Sequence, residues 1–141
     1  MFSYKYPRPS VTVDALVYTT EGNSVFILLI QRGKEPFRGK WALPGGFMNI
    51  DELLEDACKR ELFEETGLKI DKMIQFKTYD TIGRDPRGRT ISVVYYAEVD
   101  KKIVVSGGDD ASLAEWFPLE NLPQLAFDHR DIIDQFFTGC I

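Results

Sequence analysis

Polar and apolar residues alternate along residues 10–19, with Val11, Val13, Ala15 and Val17 on one side. That period of two predicts a half-buried strand. Glu21-Gly22-Asn23 reads as a turn, and the denser apolar run over residues 25–32 predicts a more deeply buried strand. A polar loop, residues 33–40, leads to a short strand, Trp41-Ala42-Leu43, which Pro44-Gly45-Gly46 stops. Residues 51–66 carry apolar positions at steps of three and four and predict one long helix, with Gly67 where a left-handed cap belongs. Residues 69–82 and 90–99 predict two strands. The turn between them, Asp85-Pro86-Arg87-Gly88, has the residue order a type I turn prefers. Gly107-Gly108 marks another turn and residues 115–119 a short strand. Asp128 then caps a final helix carrying Ile132, Ile133, Phe136 and Phe137 at helical spacing. Many strands, one helix in mid-chain and one at the end predict an α/β protein of the α+β type, a mixed sheet sandwiched by helices.

Composition narrows the class. The 141 residues suit a single domain, 1–141, with no linker or repeat to divide it. An aromatic share of 13% argues against disorder. The longest apolar run, residues 25–30, is too short to cross a bilayer, and residues 1–10 lack the apolar centre of a signal peptide. A cytoplasmic protein without membrane association is therefore expected. Cys58 and Cys140 supply neither a disulfide framework nor a zinc site, and Cys58 reads as a small core residue. The net charge of −5 speaks against nucleic-acid binding and raises the question of where the surplus acid sits.

Part of it sits on the central helix. Projected at 3.6 residues per turn, Leu54, Ala57, Cys58, Glu61, Glu64 and Glu65 share one face. The apolar half would dock on a core, yet it continues into three glutamates. Glu61 and Glu65 are a like-charged i, i+4 pair, and turning such carboxylates inward is costly unless a cation meets them. An all-oxygen ligand set selects Mg²⁺ or Mn²⁺ rather than Zn²⁺. On a helix alone, a solvated cluster partnered by Lys59 and Arg60 would explain the same residues.

The flanking sequence decides between the two. Gly46, Glu52, Arg60, Glu61, Leu62, Glu64, Glu65, Gly67 and Leu68 fill every position of G-x5-E-x7-R-E-U-x-E-E-x-G-U, U being aliphatic. Average composition would produce this at a given start with a chance of roughly 10⁻¹⁰. The box, residues 46–68, resembles the signature of the Nudix hydrolases, and the similarity extends over nearly the whole chain. The resemblance implies the family's α/β/α sandwich and hydrolysis of a pyrophosphate bond assisted by Mg²⁺ or Mn²⁺. It implies Glu61, Glu64, Glu65 and the Gly45 carbonyl as metal ligands. Arg60 would orient a neighbouring carboxylate, and Glu52 would fix the loop before the helix. The base that takes the proton from water differs among members: a box glutamate such as Glu64, or an acid from a later loop, for which Asp109 and Asp110 are candidates beside their alternative as turn-capping residues.

Four segments look like the ADP-ribose pyrophosphatase branch: Pro7-Arg8-Pro9, residues 39–47 (GKWALPGGF), residues 83–89 (GRDPRGR) and residues 125–129 (LAFDH). They imply ADP-ribose as substrate, AMP and ribose 5-phosphate as products, and a homodimer by family habit. Another nucleotide substrate, or a sensor that binds ADP-ribose without cleaving it, are the alternatives. GRDPRGR sets Arg84, Arg87 and Arg89 in an acidic protein, and guanidinium forks suit phosphate. Arg84 and Arg89, with Arg32 at the end of the second strand, are the expected substrate contacts. Phe37, Trp41, Phe47 and Phe127 are candidates to stack on adenine, Trp41 reading first as core. His129, the only histidine, reads as a cap or structural residue. Relatives that act as transcriptional sensors add a winged helix-turn-helix; the sequence up to Ile141 carries none, so no DNA-binding element is expected.

Overall fold

The computed structural model describes residues 1–108 and 111–139. Strand β1 (Ser10–Glu21) is the centre of a mixed sheet. Along one edge it pairs in parallel with β6 (Thr90–Glu98), from Ser10 opposite Thr90 to Tyr18 opposite Glu98. β5 (Ile74–Tyr79) adds antiparallel to the far side of β6. On its other edge β1 has two partners. Its last residues, Tyr18–Glu21, form a hairpin with β2 (Ser24–Arg32). Further back, the two strands part, and the gap is filled by a pair of very short strands. β3 (Trp41–Ala42) pairs with Ile30 and Gln31 of β2, and β4 (Gly45–Phe47) pairs with Thr12, Val13 and Asp14 of β1. β7 (Ala111–Pro118) closes the outer edge of β2.

Helix α1 (Leu54–Thr66) covers one face of the sheet and α2 (His129–Thr138) the other. Val13, Ala15 and Val17 pack with Ala57, Cys58 and Leu62 beneath α1, while Leu16, Ile27 and Leu29 meet Ile132 and Ile133 on the α2 side. The expected α/β/α sandwich is thus found. β1 is not half-buried, because helices lie on both faces: residues 13–17 are all buried. The alternation in its sequence separates two cores instead of core from solvent.

Other departures have local causes. α1 begins at Leu54, not at residue 51, because Leu53 is extended (φ −75°, ψ 153°) and Glu52 belongs to a loop whose Asn49 N–H donates to the Glu52 carboxylate (2.7 Å). Gly67 does adopt the left-handed cap, φ 77°, with its N–H on the Phe63 carbonyl. The glycines expected to end β3 instead form β4. Of residues 69–82 only Ile74–Tyr79 is strand, and the last strand is longer than expected, from Ala111 to Pro118. Asp128 stands at the start of α2 but makes no capping bond; its carboxylate holds Arg84. Among the described residues no helix is long and apolar enough to cross a membrane.

Candidate active site

The wedge between β1 and β2 brings β4 against the second half of α1. The Gly45 N–H donates to Glu65 Oε1 at 2.8 Å. A Cβ on Gly46 would come within 2.7 Å of the Glu61 carboxylate, and one on Gly45 would meet the Val13 carbonyl at 2.2 Å and Asp14 Oδ1 at 2.5 Å. Both glycines are there because no side chain fits. Glu65 is only 8% exposed, and burial pushes its carboxyl up to about 8. The Gly45 N–H and Arg32 work against that rise, whereas Glu61 and Asp14 add to it.

Arg60 organises the acids around this corner. Its Nε and Nη2 grip both oxygens of Glu52 (3.1 and 2.7 Å), and Nη2 also donates to the Phe47 carbonyl (3.2 Å). Nη1 reaches Glu61 (2.9 Å) and Glu64 (3.1 Å). The Glu52 hydrogen bond is the main reason its guanidinium is held above the ordinary arginine range, and the same bond lowers Glu52. One fork thereby pins the loop before α1, β4 and two carboxylates together.

The inward stripe of three glutamates needs correcting. Glu65 is buried and Glu61 partly so, but the Glu64 side chain is 38% exposed. At about 100° per residue, Glu64 lies roughly 90° from the middle of the buried face that Ala57, Cys58 and Leu62 define, which puts it on the rim. Among the described residues no three acidic, histidine or cysteine side chains converge as a ready metal cage. Arg60, whose Nε and Nη2 already grip Glu52, shares its Nη1 between Glu61 and Glu64. The donor set still suits a hard divalent ion: oxygen ligands only, a buried carboxyl lacking enough positive charge to keep its ordinary pKa, and a backbone cradle with no Cβ in the way.

This corner is one wall of a groove of about 240 Å³. Arg32 and Lys34 line it beside Gly45, Gly46, Glu61 and Glu65, and Phe47, Asn49, Arg87 and Phe127 complete it. Of the expected substrate residues, Arg32, Phe47 and Phe127 are in its lining. Arg84, Arg89 and Trp41 are not. The Arg84 side chain is 4% exposed and locked in a two-bond pair with Asp128 (2.9 and 2.7 Å). Arg89 donates to the Asp80 carbonyl (2.6 Å) outside the groove. Trp41 packs edge-on against Phe117 within the α2-side core. Phe37 stands behind Phe127, ring centroids 4.9 Å apart. Asp109 and Asp110 lie outside the described residues.

Lys34 and Asn49 are groove residues that the sequence did not single out, and of the three GRDPRGR arginines it is Arg87, not the expected Arg84 or Arg89, that lines the groove. Asp14, at a polar position in β1, is a further omission. It lies beneath Gly45, bonded to Ser92 and facing His129 Nε2 at 3.6 Å. His129 Nδ1 accepts the Leu43 N–H (3.0 Å), so the proton of the neutral ring sits on Nε2, toward Asp14. The ring is buried and engaged with the Leu43 backbone and Asp14, in line with a structural part.

The NUDIX domain family model matches residues 8–136. The chain is 44% identical over 131 residues to the ADP-ribose pyrophosphatase of Methanocaldococcus jannaschii, covering 93% of this chain and 75% of that protein. It is 36% identical to the ADPR responsive transcriptional repressor NtrR of Acinetobacter baylyi over 94% of this chain and 55% of that protein, so it spans about half the repressor's length. Its fold superposes on the NUDIX domain of Shewanella oneidensis NrtR, solved in complex with ADP ribose, with a TM-score of 0.88 at 33% identity over 96% of this chain and 91% of that one. A family match over most of the chain, a filled box and the same fold place this protein in the NUDIX family of pyrophosphohydrolases.

Proposed function

We propose that the protein hydrolyses the pyrophosphate bond of a nucleoside diphosphate joined to another group, with ADP-ribose cleaved to AMP and ribose 5-phosphate. The observation that carries this is the corner where Glu61 and Glu65 meet the Gly45-Gly46 cradle, opening on a groove that also holds Arg32 and Lys34. Oxygen donors for a divalent ion and cationic side chains for phosphate share one groove. The resemblance to an archaeal ADP-ribose pyrophosphatase supports the choice of substrate.

Glu61, Glu64, Glu65 and the Gly45 carbonyl are the groups that would hold Mg²⁺ or Mn²⁺, which supplies charge neutralisation at the pyrophosphate and lowers the pKa of water. The protein's own part is positioning and charge. Arg60 fixes Glu61 and Glu64 and, through Glu52, the loop beneath them. Arg32 offers a guanidinium to a phosphate. Water adds to one phosphorus, the bridging P–O bond breaks and the leaving phosphate keeps its electron pair. Glu64, on the rim, or Asp110 takes the proton.

Purified protein given ADP-ribose with Mg²⁺ should release AMP and ribose 5-phosphate, read by chromatography. No turnover with either Mg²⁺ or Mn²⁺ would overturn the reading, and ranking nucleotides by kcat/KM would expose another preferred substrate. The similarity to a repressor supports one other reading, an ADP-ribose sensor; tight binding with no product after long incubation would favour it. A cytoplasmic homodimer is the companion proposal, checked by sedimentation and cell fractionation.

A further inference from the structure

One face of the groove is built for something other than phosphate. Phe47 follows the Gly45-Gly46 cradle directly along β4 and is 43% exposed. Phe127 faces the same groove from the segment before α2, in a left-handed backbone conformation (φ 53°) that is rare for an aromatic residue. Phe37, against which it packs, is left-handed too (φ 61°). Two strained phenylalanines in contact are a local cost that packing must offset, and they fix the Phe127 ring at the groove wall. The Arg87 guanidinium lies over both groove rings, 4.8 Å from the centre of Phe47 and 5.4 Å from that of Phe127.

Arg87 is itself held rigidly. Asp85, whose side chain is almost wholly buried, accepts from the Arg87 backbone N–H (2.9 Å), from Nε (3.1 Å) and from Nη2 (2.8 Å). The turn thus presents a flat cation edge-anchored on a carboxylate, with its faces turned to rings. The exposed Phe47 ring and the anchored guanidinium form a preorganised planar surface. It begins one residue, roughly 3 Å of strand, beyond the glycine cradle.

We propose that Arg87, with Phe47 and Phe127, forms the shelf on which the planar base of a nucleotide stacks, and that Arg87 is a specificity-determining residue of this site. A base entering here exchanges one ring–guanidinium contact for a base–aromatic contact while the Asp85 pair stays intact, so the displacement costs little. The diphosphate carried on the ribose of that nucleoside then falls toward Gly45, Glu61 and Glu65. This rests on the hydrolase reading only for the identity of the nucleotide; base stacking itself does not require turnover.

The test uses AMP and ribose 5-phosphate as probes of the full chain, with calorimetric binding measured beside ADP-ribose hydrolysis. The wild type should bind AMP more tightly than ribose 5-phosphate. Arg87→Gln and, separately, Phe127→Leu should weaken AMP about tenfold, leave ribose 5-phosphate unchanged, and raise KM for ADP-ribose with little change in kcat. Arg87→Lys should not restore affinity, because an ammonium has no plane to stack. Arg130→Gln, on the exposed side of α2, should behave as wild type, and thermal melting confirms that each variant folds. If both variants bind AMP as the wild type does, or lose ribose 5-phosphate equally, the shelf is overturned. A wild type that binds AMP in this base-dependent way but releases no product supports the shelf and overturns the hydrolase reading alone.

Discussion

Glu64 stands on the rim of α1 with its side chain 38% exposed and paired to Arg60, so its removal should affect chemistry more than packing. Glu64→Gln is expected to lower kcat about a hundredfold or more, the range set by general acid–base and metal-ligand groups, with a stability change within about 0.5 kcal/mol. Wild-type turnover in that variant would remove Glu64 from the site. The two cradle glycines should separate in the opposite sense. A Cβ on Gly45 meets backbone, the Val13 carbonyl at 2.2 Å, which cannot move without parting β4 from β1. Gly45→Ala should therefore destabilise the fold by about 1–3 kcal/mol, seen in thermal or urea melting. The nearest atoms to a Cβ on Gly46 are instead the end of the Glu61 side chain, at 2.7 Å, which can swing aside. Gly46→Ala should stay folded while losing activity and Mg²⁺ affinity.

Between elements, charged side chains tie together segments that are distant in sequence. Arg84, in the turn between β5 and β6, meets Asp128 at the start of α2, and both are substantially buried. Replacing one partner leaves a buried charge without its counter-ion, so Arg84→Met should cost about 3–5 kcal/mol, whereas Arg84→Met with Asp128→Leu should recover most of that. Equal losses in the single and double variants would show that the pair is incidental. Because α2 also carries His129, which accepts the Leu43 N–H just before the cradle, the same damage should reach the active-site corner. The expected sign is a lower kcat/KM in the single variant, measured at a temperature where it is fully folded.

For the molecule as a whole, the acidic balance is built into the fold as well as spread over the surface. Burial alone would raise Asp14 and Asp85, but their partners outweigh it. His129, Ser92 and Arg84 hold Asp14 below the usual carboxylate range, and Arg87, with Arg84, does so for Asp85. A carboxyl whose folded pKa is depressed binds fewer protons folded than unfolded at acid pH. Its stabilising contribution is present above the unfolded value, about 3.9, and is lost as pH falls through the folded value. Stability should therefore decline steeply below about pH 4. Asp85→Asn, less stable at neutral pH, should show a shallower decline in equilibrium denaturation followed across pH. An acid limb as steep as that of the wild type would show that Asp85 does not contribute to it.

The sequence by itself determined what depends on local periodicity and on a contiguous motif. The period of two in β1, the 3.6-residue pattern and Gly67 cap of α1, and the Asp85–Gly88 turn are short-range properties of the chain. The box residues from Gly46 to Leu68 sit within one contiguous stretch, the end of β4, a loop and α1 with its cap, so their grouping needed no knowledge of the rest. Only the tertiary structure decided what depends on contacts between distant segments. Layers on both faces of β1 buried both sides of its middle, residues 13–17, and the parting of β1 and β2 drew the glycines of the stop signal into a strand, Gly45–Phe47. The three arginines of GRDPRGR look alike in sequence; Asp128 buries Arg84, the Asp80 carbonyl holds Arg89 outside the groove, and Asp85 presents Arg87 to it. A guanidinium is defined in the sequence by its charge, but its role is set by which partner reaches it first, and those partners lie two to forty-four residues away.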